Sequence, residues 1–376
     1  NPHAITPNLN RLASAGTCFD RHVVANTVCM PSRASFFTGL YPPGHGVWNN
    51  GVALNRRDLI PVNGTQFVPH EKMTPQPVTM PDLFADNGYD TASFGKLHLT
   101  PNFAPESWKF PEGVLNWRQG EFDDWHGPYY GFRHVDLTLG HGEGPCNLGH
   151  YALWLKENHP EVIEAIKGEK HLPAPAMNNL WVSSVPMEVH NNNWLADRFI
   201  SYLEEERDMD KPFFAFIGFP DPHGPFTPSR DALDVFKDKD VLPPRDPEGQ
   251  GFRLTDSMDT LQFRRQVWGQ LTDEQKELPA RHTNAMVYQV DCAIGKIMDA
   301  LQKSGHWDDT IIVFTSDHGD FLGDHNLIQK DVVGNDSLSR VPFILHAPGI
   351  THAGQRVNMP MSNCDVMPTL AALAGI

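Results

Sequence analysis

One cysteine has an unusual setting in the stretch VCMPSRASFFTGLYPPGHG, which covers residues 28–46. Pro31, Ser32 and Arg33 follow Cys29 closely, and the residues after them favour a helix. A helix N-terminus and a guanidinium one turn away both lower the pKa of a thiol and attract anions. The residues alone leave two interpretations open: a reactive cysteine beside an anion site, or a small buried hydrophobic residue, which is the commonest role of an unpaired cysteine.

Polar side chains follow three predicted strands at the points where the strands end. Lys96 and His98 come after YDTASF, His223 comes after PFFAFIGF, and Asp317 and His318 come after TIIVFTS. Ligands of an open parallel sheet collect at the carboxyl ends of its strands. The sequence therefore predicts that these side chains meet in one site.

Each of these polar residues also has an ordinary interpretation, as a solvated lysine, a hydrogen-bonded core histidine or an aspartate that caps a turn. Lysines beside histidines at strand ends instead favour binding of an oxyanion, and an aspartate in an oxygen-rich loop favours a metal. Asp324 and His325 are predicted to be structural or rim residues. Asp291 is predicted to be structural, and His190 to be a non-catalytic residue that at most borders the pocket.

The composition indicates a globular protein, with 40% hydrophobic and 20% charged residues among 376. The net charge of -16 argues against a nucleic-acid partner but not against a small anionic substrate, because a local basic pocket can lie inside an acidic protein. Five scattered cysteines predict neither a disulfide framework nor a CxxC zinc site. No apolar run reaches membrane-spanning length, which predicts a soluble chain.

The strand and helix patterns predict an α/β fold with a mainly parallel central sheet flanked by helices. Continuous apolar runs at 212–219, 310–319 and 341–349 are typical of strands buried on both faces. Helical patterns alternate with them at 194–206 and at 273–303, the second being long enough for a broken pair.

Residues 100–190 are rich in Pro, Gly, His and Trp and are predicted to be an irregular insertion that forms the rim of the site. Both ends of the chain are predicted to be truncated. The first residues read as a capped helix within a domain, so Asn1 is not expected to be the natural start, and the last residues resemble the end of a core helix.

The pattern C-x-P-S-R followed by T-G, at residues 29–39, resembles the signature of the sulfatase family. The family is formylglycine-dependent and belongs to the alkaline-phosphatase-like superfamily. The segments GYDTASFGKLHL, FPDPHGPF, TSDHGDFLGDH and QKDVVGNDSLSRVPFILHAPG are similar to further family segments in the same order. The last of them contains Lys330, and together they extend the resemblance over nearly the whole chain.

The resemblance implies a three-layer sandwich and a set of site residues. Cys29 would be oxidised to formylglycine, whose hydrate is the nucleophile, and Arg33 would hold that hydrate. The implied catalytic set is Cys29, Arg33, Lys96, His98, His223 and Lys330, of which Lys96, His223 and Lys330 bind the substrate. The implied metal ligands are Asp317, His318 and the residue derived from Cys29. Calcium is the metal in most of the family; manganese is the alternative, because His318 stands where others have Asn.

The resemblance also implies parts that the sequence does not contain. Residues 1–376 correspond to a sulfatase catalytic domain, whereas the family's first strand, with further metal ligands, is expected before Asn1. The small C-terminal domain of the family is expected beyond Ile376. Asp317 and His318 with residue 29 would be a poor cage for a hard cation that takes six or more oxygens.

Three functions follow as hypotheses. The first is a sulfatase that hydrolyses a small, aryl or sugar sulfate ester, with a formylglycine-generating maturation enzyme as its protein partner. The second is a phosphonate monoester or phosphodiester hydrolase with the same formylglycine site. The third is a non-catalytic relative that binds anions or glycans. The sequence determines neither the cell compartment nor the oligomeric state.

Overall fold

Strands and helices alternate along the chain in the computed structural model, which describes residues 3–55, 76–246, 249–255 and 258–376. The strands are β1 Thr17–Val23, β2 Asp90–Gly95, β3 His134–Leu137, β4 Phe213–Gly218, β5 Ile312–Thr315, β6 Phe343–His346 and β7 Gln355–Ser362. The α-helices are α1 Pro7–Ala15, α2 Cys29–Thr38, α3 Pro42–His45, α4 Met80–Asp86, α5 Val114–Trp117, α6 His150–Asn158, α7 Pro160–Ile166, α8 Asn191–Ser201, α9 Arg230–Asp234, α10 Asp259–Gly269, α11 Asp273–Lys303, α12 Asp336–Ser339 and α13 Val366–Ala374. The α/β class predicted from the sequence is confirmed.

The described strands lie in two hydrogen-bonded sets, with the orders β5-β6-β1-β7 and β3-β2-β4, and their mainly parallel pairing confirms the prediction from the sequence. The second sheet is parallel throughout, and β1 pairs with β7 in parallel. In contrast to the expectation for buried apolar strands, β6 runs antiparallel to both β1 and β5. Residues of β4 and β5 line a groove of about 920 Å³, and Lys96 and Asp317 are also among its lining residues.

The predicted helical pattern at 273–303 forms one continuous helix, α11, and not a broken pair, although Pro279 lies inside it. The helix begins with a capping box between Thr272 and Gln275 and packs against α1, α8 and α9. Asp291 of α11 accepts hydrogen bonds from the first backbone N–H groups of α1, at 2.7 Å from Leu9 N, and this contact confirms its structural role. Across the described residues, no helix combines the length and the apolar character needed to cross a membrane.

Residues 100–190 are more regular than the sequence predicted. They contain β3, which pairs with β2 in parallel, and the helices α5, α6 and α7. The sequence signal failed because β3 has only four residues, HVDL, two of which are polar. A strand this short lacks the continuous apolar run by which buried strands are recognised.

The ends of β2 and β4 are in unusually close contact, and this contact positions Lys96. Gly95 has a φ of +99°, and a Cβ there would lie 2.4 Å from the carbonyl oxygen of Gly218. A Cβ on Gly218 would lie 2.1 Å from the carbonyl oxygen of Lys96. Only glycine at both positions allows Lys96 N to donate to Gly218 O at 2.8 Å, which continues the pairing into the site.

Candidate active site

Cys29 is the first residue of α2, as the sequence predicted, and only 1% of its surface is exposed. Val28 is the extended residue before the helix, and its N–H donates to Asn26 Oδ1. The N–H of Met30 donates to Asn50 Oδ1 at 3.0 Å, which satisfies another free amide of the first turn. The thiol is therefore held at the buried N-terminus of a ten-residue helix.

The surroundings of Cys29 stabilise negative charge. Burial raises the pKa of its thiol, but the positive charges of Lys96, His318 and Lys330 outweigh that effect and hold the pKa well below its usual value. Its Sγ lies 3.3 Å from Nε2 of His318. An anion, or an oxygen that becomes anionic, would be stabilised at the same place.

Arg33 joins α2 to the loop after β5. Its Nε donates to Oδ2 of Asp317 at 2.8 Å, and its Nη1 donates to the carbonyl oxygen of Lys96 at 2.9 Å. Ser32 Oγ donates to the carbonyl oxygen of Asp317. Burial raises the pKa of Asp317, but the charges of Arg33 and His318 outweigh burial and hold it well below its usual value, so the carboxylate is ionised.

Two lysines each face an imidazole in the site. Lys96 Nζ lies 2.7 Å from Nε2 of His141, and Lys330 Nζ lies 2.6 Å from Nε2 of His223. The rings of His141 and His223 stack with their centroids 3.7 Å apart. An ammonium group only donates, so each Nε2 acts as the acceptor and Nδ1–H of His223 donates to Gly224 O.

The pKa values of these groups agree with neutral imidazoles. Burial and the charges of Lys330 and Lys96 lower the pKa of His223 to about 4. Burial and Lys96 also hold the pKa of His141 well below its usual value. Burial, with the charge of Arg33, lowers the pKa of Lys96 to about 8.

His98 is placed by a buried carboxylate that the sequence analysis did not select. Oε1 of Glu112 accepts the N–H of His98, and Oε2 accepts the N–H groups of Leu99 at 2.8 Å and Thr100 at 2.9 Å. Glu112 is 1% exposed and also accepts from the hydroxyl of Tyr129. His98 itself has a φ of +55°, and its buried Nδ1 has no hydrogen-bond partner within the described part of the chain.

The structure thus brings the predicted site residues together on α2 and on the segments that follow β2, β4 and β5. These are Cys29, Arg33, Lys96, His98, His223, Asp317, His318 and Lys330. It adds two residues that sequence reasoning missed, His141 and Glu112. His141 had a signal, since it follows β3 as Lys96 follows β2, but β3 itself was not recognised.

Asp324, His325 and His190, which the sequence assigned to structural or rim positions, form hydrogen bonds with residues outside the group around Cys29. Asp324 accepts from Ser337 Oγ and from the N–H of Arg245. His325 Nδ1 lies 2.8 Å from Asp246. His190 is buried at the N-cap of α8, where its Nδ1 accepts the N–H of Asn192.

The donors available to a metal ion are few and of mixed type. Asp317 offers one carboxylate, of which Oδ2 already accepts from Arg33, and His318 offers Nε2 at 3.5 Å from Oδ1 of Asp317. Residue 29 and His223 add a sulfur and a nitrogen within ligand range of His318. Calcium takes six or more oxygens. The described residues alone therefore do not form a calcium site.

Comparisons with known proteins agree with the family that the sequence resembles. The family model described as Sulfatase matches residues 1–376. The chain is 30% identical to the multifunctional alkaline phosphatase superfamily protein PehA of Trinickia caryophylli, over 100% of this chain and 69% of that protein. It is 27% identical to an arylsulfatase of Clostridium perfringens, over 99% of this chain and 70% of that protein. The crystal structure of the phosphonate monoester hydrolase of Agrobacterium radiobacter superposes with a TM-score of 0.71 at 25% identity, covering 99% of this chain and 69% of that one.

Proposed function

Because the chain belongs to the sulfatase family, a family of sulfuric ester hydrolases, we propose that it hydrolyses a small, aryl or sugar sulfate ester to the alcohol and inorganic sulfate. The observation that carries the proposal is the buried Cys29 at the start of α2, which faces Lys96, Lys330 and His318. The proposal requires a maturation enzyme that oxidises Cys29 to formylglycine. The hydrate of that aldehyde supplies the attacking oxygen.

The charges of the site suit an anionic ester. Arg33, Lys96 and Lys330 carry three positive charges and Asp317 one negative charge, so these four groups leave a net charge of +2 once residue 29 is an uncharged hydrate. The guanidinium is bound to Asp317, so the two lysines are the groups available to the sulfate oxygens. Ammonium groups fixed in a buried site stabilise developing negative charge more strongly than they would in water.

The proton steps are proposed for the histidines and lysines around residue 29. In the free site Nε2 of His223 accepts from Lys330, so this pair holds one proton that the departing alcohol oxygen can take. Lys96, paired with His141, is the alternative donor. His98, whose buried Nδ1 has no partner among the described residues, is proposed to accept a proton from the hydrate when sulfate is released.

A divalent ion is proposed to be held by Asp317, His318 and residue 29, where it would polarise the nucleophile and the sulfate oxygens. A nitrogen ligand suits manganese better than calcium, and calcium would need oxygen ligands beyond these residues. Residues 100–190 are proposed to border the substrate, since they contribute His141 to the site.

Phosphonate monoester hydrolysis is the second candidate. It is favoured by the similarity to the structure of the phosphonate monoester hydrolase of Agrobacterium radiobacter, and by the Asp317–His318 pair in the metal loop. A phosphonate monoester carries one negative charge, as a sulfate ester does. The two lysines therefore fit both substrates, and only turnover separates them.

The test begins with the modification of Cys29. The chain is co-expressed with a formylglycine-generating enzyme and digested with trypsin, and the peptide HVVANTVCMPSR, residues 22–33, is weighed. Its mass should correspond to the aldehyde or its hydrate, and the Cys29→Ala variant should carry no such change. The modified protein and the variant are then assayed with an aryl sulfate and with phenylphosphonate, with Mn²⁺ or Ca²⁺ added.

Each outcome has a defined meaning. Turnover of the aryl sulfate that Cys29→Ala loses supports the sulfatase. Preferential turnover of phenylphosphonate supports the second candidate and contradicts the first. A thiol that stays unmodified after co-expression contradicts both, because both depend on the aldehyde.

A further inference from the structure

A second cluster of potential metal ligands, separate from the group that contains Cys29, is formed by two residues of β3 and one residue that precedes it. His134 and Asp136 are two residues apart on β3 and therefore point to the same face of the strand, and His126 precedes them in the chain. Oδ1 of Asp136 lies 2.8 Å from Nδ1 of His126, and Oδ2 lies 3.1 Å from Nε2 of His134. One ligand atom from each residue lies within 4.8 Å of the other two.

We propose that His126, His134 and Asp136 bind a divalent transition-metal ion, with zinc as the ion that their chemistry fits best. Imidazole nitrogens and a carboxylate oxygen bind Zn²⁺ at about 2.0–2.2 Å, which separates neighbouring ligands of a tetrahedral site by roughly 3.3 Å. The distance of 2.8 Å from Nδ1 of His126 to Oδ1 of Asp136 is about 0.5 Å shorter than that separation. One ligand atom of each of the three residues lies within 4.8 Å of the other two, so small side-chain movements bring the three donors to the spacing that the ion needs. Three protein ligands leave a fourth position for water.

The charge around the cluster also favours a cation. Arg198 donates from Nε to Oδ2 of Asp136 at 2.8 Å, and its two terminal nitrogens donate to Glu206 at 3.0 Å. With neutral imidazoles, the two carboxylates and one guanidinium leave a net charge of -1. Arg198 can keep its bond to Oδ2 while Oδ1 binds the ion, which is the usual way in which an outer residue orients a ligating carboxylate.

The ring of His126 is held in place by a neighbouring histidine that does not itself bind the ion. His150 stacks on His126 with the ring centroids 4.3 Å apart. Both nitrogens of His150 are already used, since Nδ1 accepts the N–H of Leu137 and Nε2 donates to the carbonyl oxygen of Trp125. His150 therefore fixes the ring of His126 and does not compete for the ion.

An entry path exists on the side of His126. Its side chain is 47% exposed, whereas that of His134 is 16% exposed and that of Asp136 only 1%. When an ion replaces the proton on Nδ1 of His126, Nε2 can take up that proton from solvent. The imidazole then stays neutral, and no oxidant or further reactant is required.

The test uses the full chain with Zn²⁺ or Co²⁺ alone as the probe. All variants are made in the Cys29→Ala background, which removes the thiol from the other group of possible metal ligands, Cys29, His223 and His318. Calorimetric titration with Zn²⁺ gives the stoichiometry and affinity, and the visible absorption of Co²⁺ reports the ligand geometry. His126→Ala is the test variant, because its half-exposed side chain can be removed without opening the core. His159→Ala is the matched control, since His159 has one carboxylate neighbour, Glu161, at 3.3 Å.

The expected result is one Zn²⁺ whose affinity falls at least tenfold in His126→Ala and is unchanged in His159→Ala. His134→Ala should reduce the affinity in the same way. Two outcomes would overturn the proposal: no binding in the Cys29→Ala background, or a titration that His126→Ala leaves unchanged. In either case the two imidazoles serve only as hydrogen-bond partners of the buried carboxylate.

Discussion

Replacing Glu112 by glutamine should reduce both stability and activity, although Glu112 lies outside the group of side chains that surrounds Cys29. Its two oxygens accept the backbone N–H groups of His98, Leu99 and Thr100 in a buried position. An amide retains one acceptor oxygen and points an NH₂ group at one of these donors. If the oxygen stays with Leu99 and Thr100, the N–H of His98 is left buried without an acceptor.

The size of the effect follows from these contacts. One buried donor without a partner costs about 1–3 kcal/mol, and loss of the negative charge weakens the remaining hydrogen bonds. We therefore expect a loss of about 2–4 kcal/mol, which lowers Tm by roughly 4–8 °C at about 2 °C per kcal/mol. His98 has a positive φ that these bonds maintain, so its ring should move, and kcat/KM for an aryl sulfate should fall about 10- to 100-fold.

The assay pairs thermal unfolding with steady-state kinetics on the formylglycine-containing protein. Glu121→Gln is the matched control, because Glu121 lies in the same segment but, among the described residues, accepts only from the side chains of Lys109 and Asn116. The control should leave Tm and kcat/KM nearly unchanged. Glu112→Gln with a Tm within about 1 °C of the parent would refute the role assigned to this carboxylate, whatever the substrate proves to be.

Three further predictions test other parts of the structure. Gly218→Ala should lose about 1–3 kcal/mol of stability and unfold at a clearly lower temperature, because its Cβ would collide with the carbonyl oxygen of Lys96. Gly269→Ala is the control and should keep or raise Tm, since a Cβ there has no neighbouring atom within 4 Å. Equal unfolding temperatures for the two variants would contradict the close contact at Gly218. Asp291→Ala should lower the free energy of unfolding, measured with denaturant, by about 2 kcal/mol, because it removes the carboxylate that caps α1. Asp299→Ala is the control and should lower it by less than about 1 kcal/mol, since it breaks an exposed ion pair with Arg11. The pKa of Lys96 is lowered to about 8 by burial, although the charge of Cys29 raises it. In the formylglycine form, which lacks that charge, the ammonium should lose its proton at or below this pH, so kcat/KM for an anionic ester should fall about tenfold per pH unit on the alkaline side. A profile that stays flat to about pH 10 would show that this charge is not needed.

The convergence of the predicted site residues could be read from the sequence because it follows from topology. Lys96 and His223 follow β2 and β4, which are neighbours in one parallel sheet, so their side chains must emerge at the same edge. Asp317 follows β5 of the other sheet, and Arg33 of α2 bonds to it. Strand ends and one helix start were sufficient to place this group.

What the sequence did not reveal depends on contacts without a periodic pattern. Glu112 binds backbone N–H groups, and backbone donors leave no signal in a sequence. His141 was missed because β3 is short and half polar. The direction of β6 was missed because a continuous apolar run indicates a buried strand but carries no information on whether its neighbours are parallel or antiparallel. The cluster of His126 and Asp136 was missed for the same reason as His141, since both depend on β3.

The burial of the imidazoles has a consequence for which substrates the site can accept. His98, His141 and His223 all have lowered pKa values and are neutral near pH 7, so they add no charge to that of the lysines. If all three were protonated, the site would carry three more positive charges, and it would favour inorganic sulfate or phosphate dianions over an ester with one negative charge. Because the rings are neutral, the positive charge of the site comes from the lysines and not from the imidazoles. Each ammonium group, of Lys96 or Lys330, also has a proton acceptor beside it, in His141 or His223. This balance suits a reaction in which a singly charged ester is bound and a doubly charged anion must later leave.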